Sequence, residues 1–239
     1  MPRLLLLRAE PAAGRTRRAA ERLGHEVLAA PIFEIVPLRG RLPRPAGSYA
    51  LVIAASESAL AMLDPADRAA LAGLAARVVG SRSGELAQGL GLRPAAPLPR
   101  TARDLAAAIP PGLSGPVLYL AGEHRQPEIE AALRASSVEF DLVEVYAARA
   151  AARLPEEACA ALRGGTIAAV LHYSPRSAET YRLLAEAAGL LDAALAPVQL
   201  CLSAAVAEPL EKAGAKRLRI ASAPEEERLL ELIPGVDGE

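Results

Sequence analysis

Segments of this chain resemble one another in permuted order, which restricts the fold more tightly than any motif it carries. Residues 51–56, Leu-Val-Ile-Ala-Ala-Ser, pair with residues 169–174, Ala-Val-Leu-His-Tyr-Ser. Residues 79–91 pair with 202–214, and the interval from Ser83 to Gly91 equals that from Val206 to Gly214. Residues 5–33 pair with 118–146 without a gap. A unit that runs unbroken over 48–146 is thus matched by 167–223 followed in space by 1–35. That order predicts two related lobes, one built from both chain ends and the other inserted into it. The expected bounds are 1–36 with 154–239 for the first lobe and 48–146 for the second, with crossing connectors at 37–47 and 147–153. Pro37, Pro43 and Pro45 stiffen the first connector.

Apolar runs near 4–7, 50–54, 77–79, 117–120, 142–146, 169–171 and 198–200 alternate with helical stretches near 12–23, 83–90, 101–109, 127–135 and 153–162. Short strand-helix-strand units of this kind make parallel sheets, so each lobe is predicted to be a parallel sheet flanked by helices. The fold class is α/β, with a cleft between two similar lobes. Gly24 is the stop signal of the first helix, and Thr101 with Asp104 reads as a capping box opening another.

Composition removes several functions. With 27 basic against 28 acidic side chains, the net charge of −1 argues against a generic nucleic-acid binder, and aromatics at 3% leave few rings for stacking bases. The apolar run at the N-terminus turns polar by Arg8, too soon for a signal peptide or a membrane span. Cys159 and Cys201 make neither a disulfide framework nor a metal knuckle, and His25, His124 and His172 lack ligand spacing. No metal is expected. The chain reads as a cytoplasmic protein without membrane or nucleic-acid partners, with Cys159 and Cys201 as small core residues. Glycine-rich dinucleotide, P-loop and nucleophile-elbow signatures are all absent from the sequence.

Ligands of open α/β sheets bind at the carboxyl ends of strands. The loops there hold Arg8, Ser56, Ser58, Gly80, Ser83, Gly122, Arg125, Ser174, Arg176 and Ser203. Small residues at helix N-termini expose backbone N–H groups to anions, and arginine forks grip carboxylates in pairs. For any one of these residues helix capping or solvated surface charge is the commoner explanation; their shared placement in both repeats favours a binding role for the set. His124 and His172 stand in loops on the same side, where either could touch a ligand. Tyr146 ends a strand at the lobe connector.

These residues, in this order, resemble the uroporphyrinogen-III synthase family. The likeness covers nearly the whole chain: Arg8 with Pro11, Gly24 and Val27 leading to Pro31-Ile32, Ser56, Val79-Gly80 with the helix to Gly91, Leu120-Ala121-Gly122 with Arg125, Val145-Tyr146, Ser174-Pro175, and the helix to Gly214. The resemblance implies a cofactor-free monomeric lyase of haem biosynthesis that closes hydroxymethylbilane, a small molecule with eight carboxylates, and inverts its last pyrrole ring. Loss of the hydroxyl as water leaves an azafulvenium cation. The substituted carbon of the terminal ring attacks it to give a spiro intermediate, which fragments and recloses. Without an enzyme the bilane closes uninverted, so the protein must impose a conformation and shield a cation. By this analogy Tyr146 is the proton donor, since a phenol keeps its proton at neutral pH, and the loop residues above bind substrate.

The chain also departs from the family's pattern. The family commonly shows Thr-Ser where this chain has Ala55-Ser56 and Tyr173-Ser174. It has a threonine where this chain has Ser83 and Val206, an arginine at Ala121 and a glycine at Ser203. The Val206 position is expected to face substrate. A second reading follows, a non-catalytic tetrapyrrole-binding or regulatory protein on the same scaffold. A periplasmic solute receptor is a weaker third, for want of a signal peptide.

Overall fold

A computed structural model describes residues 3–38, 40–110, 112–125 and 127–233. The chain divides into two compact units, Met1–Glu34 with Arg149–Glu239, and Ile35–Ala148. The first unit opens with β1 (Arg3–Leu6), α1 (Ala12–Arg22) and β2 (Glu26–Ala29), and β3 (Phe33–Pro37) leads across the boundary. The second unit holds β4 (Leu51–Ala54), α2 (Glu57–Ala61), α3 (Pro65–Leu71), β5 (Ala75–Val78), α4 (Gly80–Gly89), β6 (Arg93–Pro94), α5 (Ala102–Ala107), β7 (Val117–Gly122) and α6 (Glu128–Ala135). After β8 (Phe140–Ala150) the chain completes the first unit with α7 (Glu156–Arg163), β9 (Ile167–His172), α8 (Pro175–Ala187), α9 (Leu191–Leu195), β10 (Val198–Cys201), α10 (Ala204–Lys212), β11 (Leu218–Ile220) and α11 (Glu226–Leu230).

The sheet of the first unit has the order β11-β10-β9-β1-β2, with every described pair parallel. The second sheet runs β3-β8-β7-β4-β5-β6, and its pairs from β8 to β6 are parallel. Both faces of each sheet are buried, as parallel sheets require, so the central strands are continuous apolar runs. On β1 and the residue after it, Leu5 and Leu7 enter one core while Leu4 and Leu6 enter the other. On β7, Leu118 and Leu120 face one core while Val117, Tyr119 and Ala121 face the opposite one.

Local signals act where the sequence places them. Gly24 takes a φ of +84° just after α1, a conformation that L side chains rarely adopt. Thr101 accepts from Asp104 N–H at 3.1 Å, and the Asp104 carboxylate accepts from Thr101 N–H at 3.0 Å, closing the capping box of α5. The proline-bearing stretch after β3 is pinned rather than slack. Arg44 donates to Asp141 at 2.5 Å and to Glu139 at 2.8 Å, Tyr49 donates to Asp141 at 2.7 Å, and Leu42 and Ala46 pack on the core of the second unit. Leu38 N–H donates to Val145 O and Ala151 N–H to Ile32 O, so partner numbers fall as residue numbers rise and the β3–β8 edge is antiparallel. β8 therefore continues past Tyr146 to Ala150. No described helix is long and apolar enough to cross a membrane.

Candidate functional site

Strand order in the second sheet reverses between β7 and β4, and the carboxyl ends of such neighbours form the crevice of an open α/β sheet. The β7–β8 register runs evenly from Val117 opposite Phe140 to Ala121 opposite Glu144, then places Gly122 opposite Tyr146. Val145 is the extra residue, and the irregularity is a bulge in a parallel pair. Strict alternation would point Tyr146 to the face opposite Val143 and Val145. The bulge instead turns its ring onto the core that those two valines share with Leu118 and Leu120. There the ring lies across Gly122, where an added Cβ would stand 2.6 Å from the ring's Cζ and 2.8 Å from its hydroxyl. The Tyr146 oxygen accepts a hydrogen bond from Ser56 Oγ at 3.1 Å. Ser56 is the N-cap of α2 and accepts from Ala59 N–H at 3.2 Å.

Arg125 closes the other side of β7. Its Nε donates to Glu130 and its Nη1 to Glu144, each at 2.7 Å, and Nη1 also reaches the carbonyls of Gly122 and Glu123. Burial opposes its charge, but the bonds to Glu130 and Glu144 outweigh that and raise its pKa; Glu130 is correspondingly lowered by the bond from Arg125. Tyr119, beneath this layer, is pushed up to about 12, chiefly by burial. Arg125 thus ties the loop after β7 to α6 and β8. Three other residues of the predicted set stand apart from the phenol's hydrogen bonds. Ser58 lies in α2, Gly80 donates its N–H to Pro99 O at 2.8 Å, and Ser83 is buried within α4.

The reversal in the first sheet lies between β1 and β9. Arg8 follows β1, with its guanidinium 4.2 Å above the centre of the Tyr173 ring and its Nη1 donating to Glu226 at 2.9 Å. Thr16 and Tyr173 donate to the same carboxylate oxygen of Glu226. Burial is the main cause of the raised pKa of Tyr173. Ser174 caps α8 through Ser177 N–H at 3.1 Å, and the Arg176 guanidinium sits 4.6 Å above the Phe33 ring. Ser203 occupies the N-cap of α10, but its hydroxyl makes no capping bond.

Two expectations need correction. His172 is no loop residue: it ends β9 with no exposure, its Nε2 2.9 Å from the Gln199 carbonyl oxygen and its ring tilted against Tyr181. Gln199 spends its own amide on the carbonyls of Ala194 and Pro197, which fixes the proton on His172 Nε2 and leaves Nδ1 buried without a partner among the described residues. Burial lowers this histidine's pKa to about 4. Val206, expected to face substrate, lies in the core of the first unit with 3% of its surface exposed. The position is satisfied by packing, so the missing hydroxyl has no vacancy to fill.

Sequence reasoning overlooked Glu130 and Glu144 beside Arg125, and Thr16, Tyr173 and Glu226 beside Arg8. Glu226 lies 218 residues from Arg8, and no local pattern could have joined them. Among the described residues no group of three histidine, cysteine or acidic side chains could hold a metal ion. The second unit's arrangement suits proton donation: a phenol held on its oxygen by a serine hydroxyl keeps its own proton for an acceptor.

Comparison with known proteins bears on what that acceptor is. A family model described as Uroporphyrinogen-III synthase HemD matches residues 14–231. Among solved structures, the uroporphyrinogen-III synthetase of Helicobacter pylori superposes with a TM-score of 0.63 at 14% identity, covering 97% of this chain and 98% of that one. A mutant uroporphyrinogen III synthase of the extremely thermophilic bacterium Thermus thermophilus gives 0.55 at 19% identity, covering 97% and 96%. At those identities the likeness is one of fold. No curated protein matches the sequence. The family match spans most of the chain, and the chain belongs to the uroporphyrinogen-III synthase family.

Proposed function

We propose that this member of the uroporphyrinogen-III synthase family closes hydroxymethylbilane to the inverted ring isomer with loss of water, and that Tyr146 serves the departing hydroxyl. The observation that carries the proposal is the seat of Tyr146, on Gly122 and against Ser56, at the strand ends where sheets of this class bind ligands. In the first step a pyrrole nitrogen lone pair expels the hydroxyl carbon's leaving group, and Tyr146 gives its proton so that water departs rather than hydroxide. The cation then accepts the substituted carbon of the terminal ring, the spiro intermediate fragments and recloses inverted through that ring's free α-carbon, and the proton this carbon loses balances the one Tyr146 gave and restores the phenol. The main work is conformational, because the unassisted bilane closes readily without inversion.

Substrate carboxylates need donors. Arg176 and the open N-cap at Ser203 are the proposed contacts in the first unit, while Arg8 and Arg125 act chiefly within the protein, through Glu226 and through Glu130 with Glu144. The division of labour is part of the proposal: the inserted unit supplies the phenol, the unit of both chain ends supplies carboxylate contacts, and the enzyme acts as a hydro-lyase. Freshly generated hydroxymethylbilane, followed by oxidation and chromatographic separation of type I and type III porphyrins, tests the reading. Type III in excess supports it; type I alone, at the rate of a protein-free control, sinks it.

A further inference from the structure

We propose that Ser56 and Gly122 are positioning residues for Tyr146 rather than substrate contacts: Ser56 holds the phenol oxygen as an acceptor, so that the phenolic proton faces outward, and Gly122 leaves the ring its place. The inference rests on the synthase reading and adds a division of roles within its site.

The Ser56 hydroxyl has one proton and two lone pairs. One lone pair takes Ala59 N–H, and in the proposed arrangement the proton goes to Tyr146 Oη, 3.1 Å away. Accepting from a backbone N–H polarises an O–H and strengthens it as a donor, so the chain of bonds runs from Ala59 through Ser56 to Tyr146. Among the described residues Tyr146 Oη makes no second hydrogen bond, and its own proton stays uncommitted. The same serine would be a poor carboxylate ligand, since its proton is already in use.

Gly122 is required for a matching reason. A methyl there would lie 2.6, 2.8 and 2.9 Å from the Cζ, hydroxyl oxygen and Cε1 of Tyr146, distances real Cβ atoms do not show. The sequence repeat supplies an independent contrast. Residues 5–33 align with 118–146 without a gap, so Ala9 stands in the place of Gly122 and Phe33 in the place of Tyr146. The copy with no hydroxyl to seat carries the methyl, and the copy with the phenol carries the glycine.

The test combines kinetics with vibrational spectroscopy. Ser56→Ala should lower kcat roughly five- to tenfold with KM unchanged, the loss of one hydrogen bond in catalytic use, and Ser56→Thr should restore most of it. In a Tyr146→Phe background, Ser56→Ala should cost nothing further. The tyrosine Raman doublet, isolated as wild type minus Tyr146→Phe, should have the intensity ratio of an acceptor phenol and should lose it in Ser56→Ala. Ser56→Asp keeps an acceptor for Ala59 N–H but has no proton to give. It should stay folded while turning the doublet to that of a donor and lowering kcat at least as far as alanine does, which keeps the test open should Ser56→Ala unfold.

A raised KM at unchanged kcat, or losses that multiply in the double variant, would assign Ser56 to the substrate and overturn the inference. An unmoved doublet overturns it on structural grounds alone, without reference to turnover. Wild-type protein that leaves only type I product overturns the enzymatic reading and the catalytic role of this seat with it, and the doublet still distinguishes that failure from a wrong hydrogen bond.

Discussion

Replacing Gly122 by alanine should damage turnover far more than its one carbon suggests. The new Cβ would stand 2.6 Å from Tyr146 Cζ, and ordinary contact begins near 3.4 Å, so the ring must retreat by about 0.8 Å. The ring cannot slide freely, because Tyr146 sits at a bulge in a strand paired with β7 and packs beside Val143 and Val145. Misplacing a reacting group by ~1 Å costs on the order of 100-fold in rate, so kcat should fall between about tenfold and 100-fold, with KM nearly unchanged. Overpacking should also lower stability by about 1–3 kcal/mol. Steady-state kinetics with fresh bilane and urea denaturation read the two effects. In a Tyr146→Ala background the clash has no partner, and Gly122→Ala should then cost almost no stability. Full activity in Gly122→Ala, or an undiminished stability loss in the double variant, would refute the assigned contact.

Other residues give predictions of different kinds. His172 has a folded pKa of about 4, lowered mainly by burial, against an ordinary 6.5, so its contribution is fully present above about pH 6.5 and is lost as pH falls toward 4. That loss amounts to about 3 kcal/mol, and urea midpoints over this range should fall less steeply for His172→Gln; equal slopes would mean that the histidine is hydrated. Arg125→Met removes the partner of Glu144 and leaves Glu130 with Arg134 alone, and should cost about 1–2 kcal/mol of stability with little change in KM. A tenfold rise in KM at full stability would instead make Arg125 a substrate ligand. Glu226→Gln removes the charge shared by Arg8, Thr16 and Tyr173 and should destabilise by about 1–2 kcal/mol in chemical denaturation; no change would show that α11 is held by Leu229 and Leu230 alone.

What the sequence revealed and what it hid follow from the range of the forces involved. Parallel strands flanked by helices could be read because apolar runs, the Gly24 stop and the Thr101–Asp104 cap act within a few residues. Tyr146 was visible as a strand residue, but its direction was not, since a one-residue bulge is defined only against the register of β7. Period-two alternation alone would have pointed it the wrong way. The arginines show the same limit. Arg8 and Arg125 stand in strand-end loops as expected, yet their carboxylate partners come from α11, α6 and β8. Val206 illustrates the reverse error, a helix position judged by an analogous hydroxyl when its own face points into the core.

The central claim is that the chain imposes inversion on the bilane and uses the Tyr146 hydroxyl to do so. A single-turnover experiment, with wild type and Tyr146→Phe each in excess over fresh hydroxymethylbilane and the quenched products separated by isomer, tests both parts together. Type III should dominate with wild type, and Tyr146→Phe should still yield type III at a rate lower by about 100-fold, near the lower end for a general acid because the leaving group is labile. Type I alone from wild type, or a phenylalanine variant as fast as wild type, would contradict the account.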